Sequence, residues 1–366
     1  MSVLSYLEKL LNGVDIQWKT IGEVTLRTSN IKWREATRSY RYVDLTSVDI
    51  ETKKITETTE VTANNAPSRA QKLIEENDVI FATTRPTQQR FCLIDGEYSD
   101  EVASTGFCVL RAKQNEVLPK WIWHWISTSY FKKYVEENQS GSAYPAISDA
   151  KVKECYIPVP CPENPEKSLT IQSEIVRILD KFTALTAELT AELTMRKKQY
   201  NYYRNQLLSF EGGSVEWKSL GEVAIITIGA FVRKDKQNPD ADYPVYNGGR
   251  TPTGYYEDFN NDGDKIIVSA RGANAGFVNK SSTPYWAGNS CYSISVRSTE
   301  QLHWMYVYYY LKQSETKLTG IQQKGGIPAV SKKQMEDLLL PIPSKSEQVR
   351  IVTILDKFDT LTSSIT

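Results

Sequence analysis

The sequence predicts an α+β protein: two globular domains of mixed α and β structure, separated by long antiparallel coiled-coil helices and related by a pseudo-two-fold internal repeat. Three observations support this prediction, namely the length, an internal repeat and a long helical segment with an apolar seam. The chain has 366 residues, which exceeds the size at which one hydrophobic core usually stops growing. We therefore expect at least two folded units.

The composition favours folded domains, because 40% of the residues are hydrophobic and 24% are charged, unlike the composition of disordered chains. The 44 basic side chains are balanced by 44 acidic ones, so no global field attracts a nucleic acid or a membrane. The N-terminal segment lacks the pattern of a secretion signal, and no apolar run reaches the roughly 18 residues of a spanning helix. We expect a cytoplasmic protein without a membrane partner.

The repeat is clearest in one helical segment, where IVRILDKFTALT at 175–186 returns as IVTILDKFDTLT at 351–362 with nine of twelve positions identical. Further matches follow in the same order in both copies. They are WKTIGEV (18–24) with WKSLGEV (217–223), NDVIFATTR (77–85) with GDKIIVSAR (263–271), PAIS (145–148) with PAVS (328–331), and IPVP (157–160) with LPIP (340–343). Each copy is therefore a globular segment followed by a helix.

The first helical segment carries apolar residues at alternating spacings of four and three, the pattern of a coiled-coil seam. A helix over about 170–208 would be roughly 58 Å long, so its apolar stripe needs a partner. The obvious partner is the repeated helix from 346 onward, in antiparallel pairing. The candidate partner-binding residues on the two helices are Ile175, Ile178, Phe182, Leu185, Leu189, Ile354 and Phe358.

These observations define five segments: an N-terminal helix, a first globular domain, a connector with the first long helix, a second globular domain, and a short second helix. Their predicted bounds are 1–13, 14–160, 161–210, 211–344 and 345–366. Strands are predicted from β-branched and aromatic runs, and one helix follows them in each domain. The predicted strands are 79–83, 107–110, 265–270 and 291–296, and the predicted helices are 121–137 and 304–318.

The usual signatures of catalysis are missing from the sequence. It has no phosphate-binding loop, no glycine-rich dinucleotide motif and no nucleophile elbow. The two histidines, His124 and His303, lie beside tryptophans without partners at metal-ligand spacing, and none of the five cysteines forms a C-x-x-C motif. We therefore expect a binding or scaffolding protein with no catalytic residues, no metal site and no cofactor of its own.

With its duplicated ILDKF helix, its paired WK-x-[IL]-GEV entries and its [IL]-P-[VI]-P exits, the chain resembles the specificity (S) subunit of type I restriction-modification enzymes. The resemblance implies that segments 14–160 and 211–344 are target-recognition domains, each reading one half of an asymmetric site in double-stranded DNA. It also implies that the helices dock two methylase subunits, joined by a motor and restriction subunit. S-adenosylmethionine, ATP and Mg would belong to those partners.

Candidate DNA contacts follow from side-chain chemistry. Phosphates attract Lys and Arg, whereas base edges favour Arg for guanine and Asn or Gln for adenine. The first domain offers a basic segment and the loop TTRPTQQR at 83–90 after a predicted strand. Its candidates are Lys32, Arg34, Arg38, Arg41, Thr84, Arg85, Gln88, Gln89 and Arg90.

In the second domain, the loop SARGANAG follows the repeated strand, and the sequence repeat aligns Arg271 with Arg85. Two further glycine-rich loops complete the predicted surface. The candidates here are Arg250, Tyr255, Tyr256, Arg271, Asn274, Gln322, Gln323 and Lys324.

Two alternatives remain open from the sequence. One is a coiled-coil interaction scaffold that does not read DNA, and the other is a stand-alone DNA-binding regulator of the same fold. A bipartite motif enriched from random DNA would exclude the first alternative, and enrichment without a partner subunit would favour the second.

Overall fold

A computed structural model describes residues 10–210, 215–321 and 326–363 of the chain. The chain divides into two compact units, unit 1 (Met1–Ala187) and unit 2 (Glu188–Thr366). The boundary falls within a helix of 43 residues, Pro165–Leu207. The prediction of an α+β fold with two sheet-rich domains separated by a long helix is therefore confirmed.

Unit 1 contains one two-stranded ribbon, β1 with β10, and two four-stranded sheets with the orders β2-β9-β6-β7 and β4-β3-β8-β5. The strands are β1 (Ile16–Thr20), β2 (Thr25–Leu26), β3 (Tyr40–Val43), β4 (Thr59–Val61), β5 (Ala70–Ile74), β6 (Val79–Ala82), β7 (Phe91–Leu93), β8 (Glu101–Ser104), β9 (Phe107–Ala112) and β10 (Tyr156–Pro160). The helices are α1 (Pro119–Ile126), α2 (Ser129–Asn138), α3 (Asp149–Glu154) and the long helix α4 (Pro165–Leu207).

Unit 2 repeats the ribbon as β11 with β19 and the first sheet as β12-β18-β15-β16, and its second sheet has three strands, β14-β13-β17. The strands are β11 (Glu216–Ser219), β12 (Ala224–Ile228), β13 (Tyr243–Tyr246), β14 (Gly254–Tyr256), β15 (Lys265–Ser269), β16 (Val278–Ser281), β17 (Trp286–Ala287), β18 (Cys291–Val296) and β19 (Leu339–Ile342). The helices are α5 (Leu220–Val223), α6 (Trp304–Gln313), α7 (Glu315–Gly320), α8 (Lys332–Glu336) and α9 (Lys345–Ser363).

The cores lie where a helix covers a sheet. In unit 1, Phe81 of β6 meets Phe131 of α2 edge to face, with ring centroids 5.1 Å apart, and Ile122 of α1 is fully buried beside them. In unit 2, the aromatic helix α6 buries Tyr306 and Tyr309 completely. Burying such large side chains accounts for much of the stability of each unit.

The structure breaks the predicted helices 121–137 and 304–318 and lengthens the predicted helix 170–208. Thr128 ends the first by adopting an extended backbone and capping α2, because its side chain accepts from the amide of Phe131. The second is interrupted at Ser314, between α6 and α7. The long helix begins earlier than predicted, because Asn164 caps it through the amide of Lys167 and Pro165 fits its first turn.

The first and last strands of each globular segment pair as an antiparallel ribbon. In unit 1, Trp18 of β1 lies opposite Pro158 of β10. In unit 2, Trp217 of β11 lies opposite Pro341 of β19. The repeated sequence motifs therefore occupy the same positions in the two units, which supports the internal repeat.

The predicted apolar seam is only partly covered. Among its residues on α4, Ile175 and Ile178 are half-buried, whereas Phe182, Leu185 and Leu189 are 52%, 49% and 47% exposed.

None of the helices in the described residues is long and apolar enough to cross a membrane.

In unit 2, the repeated segment of α9 is better covered. Ile354 is half-buried, Leu355 is fully buried, and Phe358 stacks on Tyr203 of α4 with ring centroids 5.5 Å apart. The hydroxyl of Tyr200 also bonds to the Asp359 carboxylate. The end of α4 therefore packs with α9 within unit 2.

Candidate nucleic-acid interface

Two equivalent loops follow the central strands of the two units. Loop A, residues 83–90, joins β6 to β7, and loop B, residues 270–277, joins β15 to β16. Each is tied to a segment from the Pro-Ala repeat. In unit 1 the Arg85 amide donates to the carbonyl of Pro145 at 2.7 Å, and in unit 2 the Gly272 amide donates to the carbonyl of Pro328 at 2.9 Å.

This hydrogen bonding corrects the sequence alignment of the two loops. Because Pro145 and Pro328 are repeats of each other, Arg85 is equivalent to Gly272, and Arg271 is equivalent to Thr84. The strand pairing gives the same alignment. Val79 pairs with Leu110 in unit 1 and Ile266 pairs with Ile294 in unit 2, so Val79 is equivalent to Ile266, with the same offset that relates Arg85 to Gly272. The predicted match of Arg271 with Arg85 is therefore wrong by one residue.

The two loops have the same backbone shape. Arg85 and Gly272 both have positive φ, at 48° and 94°, and four residues later Gln89 and Gly276 repeat this with 54° and 88°. A Cβ atom at Gly276 would lie only 2.9 Å from backbone atoms of unit 2, so glycine is required there for space as well. The shape is therefore shared, while the side chains differ.

Three residues of loop A face solvent to different degrees. Arg85 and Gln88 are exposed, and Thr84 is half-buried. The guanidinium carbon of Arg85 lies 5.2 Å from the ring centroid of Tyr144, a cation-π geometry that orients the arginine. Among the predicted DNA contacts of loop A, these are the accessible side chains.

The other two candidates of loop A are used inside the protein. The Arg90 guanidinium donates to the carbonyls of Leu45, at 2.6 Å, and Val48. The side-chain nitrogen of Gln89 is buried and has no hydrogen-bond partner among the described residues. Arg90 therefore joins the loop to a neighbouring turn, and the Gln89 side-chain nitrogen is not an exposed donor.

The basic segment 32–41 is largely neutralised by carboxylates. Arg38 lies 3.4 Å from Glu101, and Lys32 lies 3.4 Å from Glu35. Arg41 contacts Glu97 at 2.7 Å, and this hydrogen bond raises the pKa of the Arg41 guanidinium. The remaining candidate, Arg34, is exposed and is the best placed of the four for a phosphate.

In unit 2, loop B and the glycine-rich loop 247–254 are joined by side chains. The Arg250 Nε donates to the side-chain oxygen of Asn274, Oδ1, at 3.2 Å, and the side-chain nitrogen of Asn274 donates to the backbone carbonyl of Gly248 at 3.4 Å. Arg271 is exposed. The predicted residues Arg250, Asn274 and Arg271 therefore belong to one surface, in which Asn274 positions Arg250.

The two tyrosines of this predicted surface differ. Tyr255 is 42% exposed, whereas Tyr256 packs edge to face on Trp286 with centroids 5.0 Å apart. Tyr256 therefore stabilises the sheet and Tyr255 is the accessible ring. Gln322, Gln323 and Lys324 lie outside the described residues.

The buried cysteines and the two histidines have structural environments. Burial raises the pKa of the Cys92, Cys108 and Cys155 thiols to about 12, so none is an activated nucleophile. His124 contacts the Asp180 carboxylate through Nε2 at 2.8 Å, and His303 accepts from a helix amide. In the described part of the chain, no three His, Cys, Asp or Glu side chains form a metal-binding group.

The segment that supports each loop was not predicted from the sequence. Residues 140–147 and 327–330 carry Tyr144 and Ile327, each directly before the proline that anchors its loop, and neither residue was predicted to contact DNA. The signal was available, because the Pro-Ala repeat follows both residues directly. It was interpreted only as evidence of duplication.

Comparison with known proteins agrees with this architecture. The family model described as the type I restriction modification DNA specificity domain matches residues 15–195 and 214–366. The specificity subunit of the type I restriction enzymes EcoR124I and EcoR124II of Escherichia coli is 36% identical, with 100% of this chain and 92% of that protein covered. The EcoprrI specificity subunit, also from Escherichia coli, is 34% identical, with coverage of 100% and 93%.

Solved structures support the fold. The S subunit of a type I restriction-modification system from M. genitalium has a TM-score of 0.66 at 16% identity, covering 97% of this chain and 94% of that one. A chain from a study of complex assembly and conformational transition in a type I system has a TM-score of 0.54 at 25% identity, with 96% and 91% covered.

Proposed function

Since the chain belongs to the family of type I restriction-modification DNA specificity subunits, we propose that it reads a bipartite, asymmetric site in double-stranded DNA, one half-site with each unit. Specificity subunits of this family are non-catalytic DNA-recognition subunits that work with methylase and restriction subunits. The chemistry on the DNA would accordingly be carried out by the partners.

One observation carries the proposal of two different half-sites. Loops A and B share a backbone shape, yet their side chains differ at equivalent positions: Thr84 with Arg271, and Arg85 with Gly272. Identical loops would favour a palindromic site, whereas different side chains on a common frame read different bases.

The accessible residues suggest how each half-site is contacted. Arg85 in unit 1 and Arg271 in unit 2 are suited to a guanine edge or a phosphate, and Gln88 is suited to adenine. Arg250 and Tyr255 would complete the surface of unit 2. Phosphate contacts by such cations would make binding weaken as salt increases.

The long helix α4 is the proposed docking surface for the methylase subunits. Phe182 and Leu185 are exposed apolar residues at coiled-coil spacing, and the contacts of a helical partner are usually apolar residues at this spacing. A repeated helix in each copy would suit two methylase subunits, with a motor and restriction subunit added. S-adenosylmethionine, ATP and Mg would be bound by those partners.

The test is selection from a random duplex library with the chain alone and with its methylase subunits. We expect enrichment of two half-sites separated by a fixed spacer when the methylase is present. If neither sample enriches a motif, the chain is a scaffold that does not read DNA. If the chain alone enriches the full motif, it acts as a stand-alone DNA-binding protein.

A single variant assigns unit 1 to its half-site. Arg85→Ala should weaken or alter one half-site only, by about 1–3 kcal/mol if the arginine contacts guanine with two hydrogen bonds. An equal loss of affinity across all sequences would instead assign Arg85 to a phosphate.

A further inference from the structure

Tyr144 and Ile327 occupy equivalent positions in the two units, each directly before the repeated Pro-Ala pair. Their side chains are 71% and 76% exposed. Among the described residues, each is the most exposed large hydrophobic side chain of its unit. Single exposed apolar residues are ordinary, but the same exposure at one position of two diverged copies indicates a common cause.

The backbone beside each residue is firmly held. Pro145 and Pro328, the next residues, accept the hydrogen bonds from loops A and B described above. Two residues further on, Ile147 and Val330 are 5% and 1% exposed. An apolar side chain on an anchored backbone loses little entropy when it binds, which is the usual property of a contact residue.

Each of these residues is close along the chain to a backbone contact with an arginine of its loop. The Arg85 guanidinium faces the Tyr144 ring, and in unit 2 exposed Arg271 forms a β-bridge with Ala329, two residues after Ile327. An apolar group next to an arginine matches the surface of a DNA groove, where base edges adjoin phosphates. The same pair of groups fits a purely apolar protein surface less well.

We propose that Tyr144 and Ile327 are equivalent base-contacting residues, each making an apolar contact with one base pair of its half-site. The inference rests on the proposed function, because it assigns two further residues to the same DNA surface. Apolar side chains discriminate bases by packing on the thymine methyl group or by inserting between base steps. A tyrosine in one unit and an isoleucine in the other then contribute different preferences from the same place.

The test uses the full chain assembled with its methylase subunits and a random duplex library. Tyr144→Ser should relax the preference at one base-pair position of one half-site by roughly 5- to 10-fold, the effect of losing one modest base contact. Ile327→Ser should do the same in the other half-site. Tyr144→Phe keeps the ring and should keep the native motif.

A matched control pair lies on the ribbons. Tyr156 and Leu339 are also equivalent positions, and they are 51% and 56% exposed. Tyr156→Ser and Leu339→Ser should leave both half-sites unchanged. All variants should keep a near-native melting temperature, because every substituted side chain is at least half exposed.

The outcomes separate the two levels of inference. If the native complex enriches a bipartite motif and both serine variants enrich the same motif with the same preferences, the base-contact assignment is overturned and the proposed function stands. A uniform loss of affinity for all sequences also overturns it, since that result indicates a backbone contact. If the native complex enriches nothing, the proposed function itself fails.

Discussion

Arg85 and Gly272 occupy the same position of two equivalent loops, and both have a left-handed backbone, with φ of 48° and 94°. Glycine adopts this conformation readily, whereas another residue is destabilised by about 1–2 kcal/mol. Unit 1 therefore has an arginine at a position where unit 2 has glycine, the residue that this backbone conformation favours. Strain of this kind is often found at binding sites, which agrees with the proposed role of Arg85.

Relief of this strain is the first prediction. Arg85→Gly should raise the free energy of unfolding of unit 1 by about 0.5–1 kcal/mol, because the left-handed penalty exceeds the entropy that glycine adds to the unfolded chain. The same change should weaken binding to one half-site. Urea unfolding and library selection measure the two effects.

The reverse substitution in unit 2 is the matched control. Gly272→Ala should lower stability by about 1 kcal/mol, although a Cβ atom there meets nothing within 4 Å, because the loss is conformational. An Arg85→Gly variant less stable than the native chain would show that the contacts of the arginine side chain outweigh the penalty of its left-handed backbone.

A second prediction concerns the buried side-chain amide of Gln172, which fixes the start of α4 within unit 1. Its oxygen accepts from the Leu118 amide at 2.9 Å, and its nitrogen donates to the Glu116 carbonyl at 2.9 Å. Gln172→Ala leaves these buried groups unpaired and should cost about 2–4 kcal/mol by chemical unfolding. Exposed Gln199 on the same helix is the control, and Gln199→Ala should be nearly neutral.

The repeat makes the same prediction for unit 2. Gln348 accepts from the His303 amide at 2.8 Å and donates to the Gln301 carbonyl at 3.1 Å. Gln348→Ala should therefore destabilise unit 2 to a similar extent. If Gln172→Ala and Gln199→Ala lower the free energy of unfolding by similar amounts, the amide contacts of Gln172 do not stabilise the protein as predicted.

The third prediction is a pH dependence from Asp180. Partial burial tends to raise the pKa of this carboxyl, but hydrogen bonds from Lys120 and His124 outweigh burial and the pKa is lowered. A lowered pKa in the folded state stabilises the protein above the unfolded value of about 3.9, and this contribution is lost as the pH falls through the folded pKa.

The comparison with Asp180→Asn isolates this contribution. The variant should be less stable than the native chain at pH 7, and the difference should shrink as the pH is lowered below about 4. Urea midpoints measured from pH 7 to pH 2 test it. A difference that stays constant over this range would mean that ionisation of Asp180 contributes nothing to stability.

The fourth prediction concerns the exposed seam of α4. Phe182 and Phe358 are repeats of each other, but Phe182 is 52% exposed and Phe358 stacks on Tyr203. Phe182→Ser should change stability by less than about 0.5 kcal/mol and weaken binding of methylase subunits. Phe358→Ser should instead destabilise unit 2 by about 1–3 kcal/mol, through loss of the stacked pair and its burial.

Titration calorimetry with purified methylase subunits and thermal melting distinguish these effects. Native methylase binding by the Phe182→Ser variant would exclude this part of α4 as a docking surface. The affinity and the number of bound subunits are both informative, because the proposal includes two methylase subunits.

The architecture could be predicted from the sequence because several repeated motifs agreed on it. Nine identical positions in the ILDKF segments and the paired Trp18 and Trp217 motifs located both units and the helix between them. Helix ends were harder to predict, since a single cap such as Thr128 divides a continuous apolar pattern.

The candidate site was predicted less well, because exposure and pairing depend on distant parts of the chain. Arg90 looked like a DNA contact, yet its guanidinium is held by carbonyls about forty residues away. Arg38 and Arg41 are similarly held by acidic residues far along the chain. The one-residue error at Arg271 arose because two arginines were aligned by identity, whereas strand pairing aligns the backbone.

The ribbons of β1 with β10 and β11 with β19 bring the chain into and out of each globular segment side by side. A segment with adjacent ends can be exchanged as a cassette, because both junctions lie at one edge and the interior is not cut. Recombination or engineering at these two ribbons would therefore generate new pairs of DNA preferences from existing parts, without redesigning either hydrophobic core.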